Sequence, residues 1–175
     1  MKWILAAGLL LASTAANAEV VSSSPNGFHI RHTVQLVSPV ATSFAAFGRV
    51  GEWWNKDHSY SGDSANMSLS LTPGGCLCER FPDGGGIEHM RVTYVKPGEQ
   101  VLLSGSLGPL LFLATAGVMD VQFERIAGGS KVTMDYKAAG FADGGADKLA
   151  PVVDGVLAEQ MKRYREFSRS QRPPR

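Results

Sequence analysis

The hydrophobic period changes once along this chain, and no other feature constrains the fold as strongly. Up to residue 136, apolar and polar residues alternate in short segments, which is typical of half-buried β-strands. From residue 149 onwards the apolar residues recur at helical spacing, and Leu149, Val153, Val156 and Tyr164 mark the apolar face. A series of strands followed by one long helix predicts an α+β fold in which the helix covers one face of a sheet.

Turn-forming residues divide the alternating part into strands. Clusters rich in Pro and Gly interrupt it at residues 72–75, 82–86 and 97–98. Gly128 and Gly129 predict a hairpin between the last two strands, because glycine accepts the positive φ of such turns. Strands joined by hairpins pair antiparallel, so we expect one antiparallel sheet of about six or seven strands, after a loose entry segment at residues 19–27. The predicted strands cover residues 28–36, 67–71, 76–81, 87–96, 101–104, 119–123 and 132–136.

The first 18 residues have the pattern of a secretory signal peptide. Lys2 gives a positive start, residues 3–11 are apolar, and Ala16-Asn17-Ala18 provides an A-x-A cleavage site. The apolar run is shorter than the roughly 20 residues that span a bilayer, so we expect no stable membrane insertion after cleavage. The mature protein is therefore expected to be periplasmic or secreted.

The charge balance argues against a nucleic-acid partner. The chain has 17 Lys and Arg residues against 16 Asp and Glu residues, and removal of Lys2 with the signal peptide makes the two counts equal. A neutral chain without a basic stripe lacks the electrostatic footprint of a protein that binds nucleic acid. We therefore expect no nucleic acid among its partners.

A second apolar stretch runs from Gln100 to Met119 without a charged residue. Its length alone would allow a membrane span. However, Gly105, Gly108 and Pro109 interrupt it. We therefore predict a strand, a tight turn at residues 108–109, and an apolar loop or short helix at residues 110–114.

Two adjacent tryptophans, Trp53 and Trp54, close a short apolar helix that begins after Ser38-Pro39. Adjacent side chains cannot share one face of a helix or a strand. One ring can enter the core while the other covers a groove or lines a cavity, and each ring can bury about 150–250 Å². This arrangement indicates a protein that holds an apolar ligand.

Taken in order, these segments resemble the START-like, or SRPBCC, superfamily. The resemblance rests on the Ser38-Pro39 helix start, on Glu52-Trp53-Trp54, and on residues 58–62, 73–79, 89–92, 105–110 and 153–157. It covers residues 28–168 as a single domain and leaves residues 169–175 as a polar tail. It implies a helix-grip fold, in which a curved antiparallel sheet surrounds the long C-terminal helix and leaves an internal cavity.

The resemblance also implies a range of functions, since relatives include lipid and hormone carriers, polyketide cyclases and co-chaperones that activate an ATPase. We expect an exported protein that binds a small hydrophobic ligand in the cavity. One alternative is a polyketide cyclase-like or dehydratase-like enzyme that uses a His/Glu acid–base pair in the same cavity. A second is an interaction module related to the co-chaperones, which export disfavours. The chain has no recognisable catalytic motif, and we assign it no cofactor and no metal.

The candidate ligand contacts are aromatic and methionine side chains. Methionine adapts to irregular shapes and therefore suits a pocket for varied ligands, although ordinary core packing is the better explanation for any single one. The predicted ligand-binding set is Trp53, Trp54, Tyr60, Met90, Tyr94, Met119, Met134 and Met161.

Three polar residues, His58, Glu79 and His89, are the candidate catalytic set. They would act as general acid and base on a carbonyl substrate, bind a metal through two imidazoles and a carboxylate, or form a hydrogen-bonded cluster that closes one end of the cavity. His32 lies on the apolar face of the first strand, and we expect it to be a hydrogen-bonded core group.

Cys76 and Cys78 lie two residues apart on one face of a predicted strand. A regular strand separates such Cα atoms by about 6.6–7 Å, at or beyond the upper limit for a disulfide. We therefore favour two small buried thiols in the cavity wall over a strained disulfide or a metal site. Glu79 is expected on the opposite face from Cys78.

Overall fold

The computed structural model describes residues 17–171, so the predicted signal peptide lies outside the described residues except for its last two. The fold is α+β: one open antiparallel sheet of eight strands with a long C-terminal helix against it. The strands are β1 (Asn17–Ser24), β2 (Gly27–Leu36), β3 (Met67–Leu69), β4 (Cys76–Arg80), β5 (Gly86–Lys96), β6 (Gln100–Gly105), β7 (Thr115–Ile126) and β8 (Gly129–Gly140).

The strand order is β1-β2-β8-β7-β6-β5-β4-β3. Strands β3 to β8 pair with their neighbours along the chain, and β2 then pairs with β8. The predicted hairpin between β7 and β8 is confirmed, with Ile126 opposite Gly129 and Gly128 at a φ of 82°. The sheet therefore ends in two edge strands, β1 and β3.

Two α-helices complete the fold: α1 (Val40–Gly48) and α2 (Ala150–Ser170). Helix α1 begins directly after Pro39, and a 3₁₀ turn, Val50–Glu52, leads from it to the tryptophan pair. The long C-terminal helix predicted from the apolar period is confirmed. Within residues 17–171, no helix is both long enough and apolar enough to cross a membrane.

The core lies between α2 and the inner face of the sheet. In β8 every second side chain from Ser130 to Ala138 is buried, and α2 contributes Leu157, Met161 and Tyr164, each at most 1% exposed. Burial of each such aliphatic side chain contributes roughly 1.5–3 kcal/mol. The Tyr164 hydroxyl donates to the Ser43 carbonyl at 2.7 Å, which ties α2 to α1.

The prediction of a loose segment at residues 19–27 was wrong, and the strand count of six or seven was too low. Residues 17–24 form β1, which pairs with β2 from Asn17 opposite Thr33 to Ser24 opposite Gly27. The strand escaped detection because most of its side chains are polar and exposed, as suits a sheet edge. Strand β1 is held mainly by backbone hydrogen bonds to β2. Such bonds do not depend on side-chain type, so they leave no alternating apolar pattern in the sequence.

The prediction of free thiols in the cavity wall was also wrong. Cys76 and Cys78 form a disulfide with a Cα–Cα distance of 5.4 Å. This distance is shorter than a fully extended strand gives, and it falls within the range of disulfides. Both cysteines are half-buried and alternate with the buried Leu77 and Glu79, so they lie on the outer face of the sheet.

Candidate functional site

A pocket of about 440 Å³ opens between the first half of α2 and the 3₁₀ segment Gly108–Leu113. Most of its lining is aliphatic and comes from these two elements. The loop that follows the tryptophan pair closes one side, and β5 contributes a single histidine. The aliphatic lining side chains are Leu107, Leu110, Leu113, Leu149, Val152, Val153, Val156 and Leu157.

The tryptophan pair divides its two rings between the core and the pocket. Trp53 packs against Phe47 and Tyr164, and its indole N–H donates to the Ala46 carbonyl at 3.1 Å. Trp54 borders the pocket, and its indole N–H donates to the carbonyl of His58 at 2.9 Å. Both indole N–H groups are therefore satisfied by backbone, so both rings are fixed in place.

The buried polar residue of the pocket wall is His89, which is held by Glu79. The His89 Nε2 lies 3.2 Å from Oε2 of Glu79, and the two side chains are 3% and 0% exposed. Glu79 also accepts hydrogen bonds from the backbone N–H groups of Tyr60 at 3.1 Å and Ser61 at 2.5 Å. Every hydrogen bond to this carboxylate therefore comes from a donor that favours its ionised form.

A β-bulge interrupts the alternation of β5 at His89. Leu77 pairs with Met90 and Cys78 pairs with Glu88, so His89 is the extra residue that β5 carries opposite β4. As a result His89 and Met90 are both buried, although side chains alternate elsewhere in this part of β5. Gly105 of β6 lies against the bulge: a Cβ there would come within 2.8 Å of the His89 carbonyl oxygen.

Burial and hydrogen bonding shift the pKa of both groups in the same direction. Burial lowers the pKa of His89 below 6.5, and the hydrogen bond and charge of Glu79 only partly oppose this. Burial would raise the pKa of Glu79, but hydrogen bonds from Ser61, Tyr60 and His89 outweigh it and lower the pKa below 4.5. At neutral pH the site therefore contains a carboxylate and a neutral imidazole.

His58, the third residue of the predicted catalytic set, does not join this pair by a hydrogen bond. Its Nε2 lies 3.2 Å from Oε2 of Glu159 on α2, and its side chain is 32% exposed. It borders the pocket at the solvent side, next to Asp57 and Ser59. The structure thus brings Glu79 and His89 together and leaves His58 at the mouth.

Comparison with known proteins identifies the architecture. No family model matches the sequence, and no curated protein matches it. An uncharacterized protein from Rhizobium leguminosarum has a similar structure, with a TM-score of 0.59 at 19% identity, over 89% of this chain and 98% of that one. The di-domain ARO/CYC StfQ from the steffimycin biosynthetic pathway gives a TM-score of 0.55 at 13% identity, over 83% of this chain and 52% of StfQ.

DynU16, a protein of the dynemicin biosynthetic locus, gives a TM-score of 0.55 at 18% identity, over 79% of this chain and 46% of DynU16. The chain thus spans about half the length of StfQ and of DynU16. This chain has the START-like, or SRPBCC, fold. At these identities the similarity establishes the fold and leaves the activity open.

Two of the eight predicted ligand-binding residues border the main pocket of this START-like fold. They are Trp54 and Tyr60. Tyr60 is 44% exposed, and its ring stacks on the imidazole of His89, with 6.0 Å between ring centroids. The aromatic pair therefore frames the opening and covers the polar wall.

The other six predicted residues lie elsewhere. Met119 and Met134 join Trp53 around a void of only about 10 Å³. Met161 borders a separate cavity of about 220 Å³, together with His32. Of the remaining two, Met90 is 1% exposed in the core, and Tyr94 is 46% exposed to solvent.

The aliphatic lining was missed by sequence reasoning, although two signals for it exist. The charge-free stretch from Gln100 to Met119 contains more apolar residues than its strand segments need, and the surplus forms the 3₁₀ segment of the pocket wall. In α2, Val152 and Val153 widen the apolar face beyond the stripe that contacts the sheet. In this chain, the surplus apolar residues of both segments line the pocket.

Proposed function

We propose that this protein binds a small hydrophobic ligand in the pocket between α2 and the 3₁₀ segment Gly108–Leu113. The single observation that carries the proposal is the pocket itself, about 440 Å³ in volume and walled mainly by Leu and Val side chains. Pockets for small molecules are typically about 300–1,000 Å³, mostly apolar, with a few polar groups that fix orientation. Aliphatic walls with one buried histidine match that description.

The arrangement of the mouth supports the same proposal. Phe112 is 74% exposed and Val152 is 66% exposed, and both lie on the two elements that form the pocket. The Phe112 ring meets the Tyr60 ring edge-on, with 6.2 Å between centroids. An apolar rim of this kind gives a hydrophobic ligand a continuous path from the surface to the aliphatic walls.

Titration with Nile red, an uncharged fluorescent dye, tests the proposal. We expect micromolar binding by the wild-type protein and at least a tenfold loss in Val156→Phe, because the added ring occupies the pocket. Val118→Phe is the matched control, since Val118 is 41% exposed on a strand and does not line the pocket. If the wild type fails to bind the dye, or if the two variants bind it equally, the proposal is wrong.

Intrinsic fluorescence provides an independent test. Once a signal peptide is removed, the chain retains two tryptophans, Trp53 and Trp54. We expect a ligand to change the emission of wild type and of Trp53→Phe, because Trp54 borders the pocket. The response should disappear in Trp54→Phe, where the remaining indole is packed in the core.

A second candidate function is acid–base catalysis of the cyclase or dehydratase type on a ligand in the same pocket. The observation in its favour is the buried His89–Glu79 pair at the pocket wall. We would follow loss of water from a 3-hydroxyacyl thioester by the absorbance of the enoyl product. Turnover that is lost in His89→Ala and retained in His32→Ala supports catalysis, and no turnover by the wild type excludes this reaction.

We further propose that the protein is exported and cleaved after Ala18. Cleavage there leaves Glu19 as the first residue of β1, opposite Arg31 of β2, so most of the edge strand remains. Mass spectrometry of protein recovered from the periplasm or medium tests this. We expect the chain to begin at Glu19, and recovery of the full-length chain only from the cytoplasm would contradict it.

A further inference from the structure

We propose that the ligand of this pocket is an apolar molecule with a hydroxyl group, which it donates to the Nδ1 atom of His89. This inference rests on the proposed function and names the chemical class of its ligand. It follows from three properties of His89: its place in the wall, the group that holds its other nitrogen, and the lack of a partner for Nδ1.

His89 is the polar side chain of the inner wall. The other polar lining residues, Asp57, His58 and Ser59, come from the exposed loop at the mouth. His89 instead lies on β5, 3% exposed, where it and Met90 are consecutive buried residues at the bulge. A ligand that fills the aliphatic walls therefore meets one buried polar group at the sheet.

The partner of Nε2 fixes the position of the imidazole proton. Glu79 accepts hydrogen bonds on both of its oxygens, from the backbone N–H groups of Tyr60 and Ser61. A carboxylate in this position accepts and does not donate, so the nitrogen that faces it carries the proton. A neutral imidazole has one N–H, and with that proton on Nε2, Nδ1 presents a lone pair. Burial, which lowers the pKa of His89, favours this neutral form.

Nδ1 has no hydrogen-bond partner within the described part of the chain. Buried polar atoms are rarely left unpaired, so an orphaned acceptor at the wall of a pocket points to a partner supplied by the ligand. A carbonyl or ether oxygen would face this lone pair with its own, whereas a hydroxyl group donates to it. The site therefore selects alcohols or phenols over ketones and ethers.

Access to Nδ1 requires a small adjustment of the wall, since less than 1 Å² of this atom is exposed. The Tyr60 ring stacks on the imidazole and is 44% exposed. An outward shift of its side chain would part it from His89 and from the rings of Phe81 and Phe112. The incoming hydroxyl then approaches Nδ1 in the plane of the imidazole, because the lone pair lies in that plane.

Calorimetric titration with 2-naphthol and 2-methoxynaphthalene tests the donor requirement. The two probes share one ring system, but only 2-naphthol donates a hydrogen bond. We compare the ratio of their affinities in wild type and in His89→Leu, so that their different solubilities cancel. The expected ratio favours 2-naphthol at least tenfold more in wild type than in His89→Leu, with 2-methoxynaphthalene still bound by the variant. Equal ratios in the two proteins overturn the inference.

Nitrogen-15 resonances of the wild-type imidazole provide a test that needs no variant. We expect the pattern of an Nε2–H tautomer for His89 at neutral pH, with an Nδ1 resonance that moves when 2-naphthol is added and stays when 2-methoxynaphthalene is added. An Nδ1–H tautomer or an imidazolium ion would overturn the inference while leaving apolar binding intact. Failure of both naphthalenes and of Nile red to bind overturns the proposed function itself.

Discussion

His89 and His32 are both buried beside a carboxylate, yet the two pairs differ in how the carboxylate is held. The His89 Nε2 lies 3.2 Å from Glu79, and the His32 Nε2 lies 3.0 Å from Asp154. Both histidine residues are 3% exposed, and burial lowers the pKa of each. By distance and burial alone, the two sites are nearly equivalent.

The carboxylates distinguish them. Glu79 is 0% exposed and receives two backbone N–H groups, whereas Asp154 is 24% exposed and its Oδ1 has no aligned hydrogen bond in the described residues. The cavity next to His32 is about 220 Å³ and is bordered by the cationic Lys162 and Arg165, while His89 borders the larger apolar pocket. A fixed acceptor defines which nitrogen carries the proton, and a loosely held one does not.

Removal of each carboxylate should separate the two sites most clearly. Glu79→Ala deprives two backbone N–H groups and His89 of their acceptor in a fully buried position. We expect a loss of about 3–5 kcal/mol in the free energy of unfolding. Asp154→Ala should cost less than about 1 kcal/mol, because its partly exposed carboxylate makes no aligned hydrogen bond.

Urea denaturation of the two variants measures this difference. Far-UV circular dichroism at zero urea should first establish that each variant is folded. Equal losses in the two variants would show that the backbone N–H groups do not distinguish the sites.

A second prediction concerns the bulge, which only the His89 site has. Gly105→Ala places a Cβ within 2.8 Å of the His89 carbonyl oxygen and 2.9 Å of the Met90 Cα, at a φ of 148°. Both contacts are with backbone, so the strand must shift, at a cost of about 1–3 kcal/mol. We also expect weaker Nile red binding, because His89 moves with the bulge.

Gly155→Ala provides the matched control. A Cβ at this position of α2 would meet nothing within 4 Å. Alanine favours a helix interior over glycine, so this variant should be more stable by about 0.5–1 kcal/mol. If Gly105→Ala is as stable as wild type, the bulge does not depend on the glycine.

The sequence predicted the layers of this fold well because side-chain burial leaves a period in the residues. Strands β2 and β8 alternate strictly in burial, and α2 carries a continuous apolar face. Strand β1 was missed because it is held mainly by backbone pairing, with only Val20 packed against the core. The polar residues of β1 do not alternate with apolar ones, so the sequence pattern does not indicate a strand.

The site was harder to predict because it depends on register. Glu79 and His89 were chosen for their residue types and because their strands were predicted to be hairpin partners. The register pairs Glu79 with Ile87, which puts His89 on the same face as Glu79, and the extra residue of β5 brings Met90 to that face as well. A bulge of this kind changes the face on which a side chain lies and leaves no mark in a hydrophobic pattern. The prediction of free thiols at Cys76 and Cys78 was wrong in the same irregular region, because it assumed a fully extended strand.

A third prediction uses pH to compare the pairs. The pKa of His89 and the pKa of His32 are both lowered in the fold, so the unfolded chain binds more protons as pH falls below about 6.5. Stability should therefore decline from that pH downwards, until the pH reaches the folded-state pKa of each imidazole. His89→Leu and His32→Leu should each make this decline shallower.

Glu79 adds a second decline at lower pH. Its folded-state pKa is below 4.5, so its contribution is present above about 4.5 and is lost as pH falls through the folded-state value. Thermal unfolding between pH 3 and pH 8 measures both regions. We expect Glu79→Gln to weaken the lower decline, to which Asp135 also contributes because its pKa is lowered in the fold. An unchanged profile in this variant would contradict the assignment.

The smallest effect is expected when the whole of the looser pair is replaced. In the double variant His32→Leu with Asp154→Leu, no backbone group loses a partner, and apolar side chains fill the same space. Replacement of both partners by apolar groups of similar shape is often nearly neutral, so we expect a change within about 1 kcal/mol in urea denaturation. The same exchange at His89 and Glu79 should cost more than about 2 kcal/mol, because the N–H groups of Tyr60 and Ser61 then have no acceptor. The difference between the two double variants therefore measures what the backbone N–H groups contribute to the free energy of unfolding. Only the His89–Glu79 pair accepts hydrogen bonds from such groups.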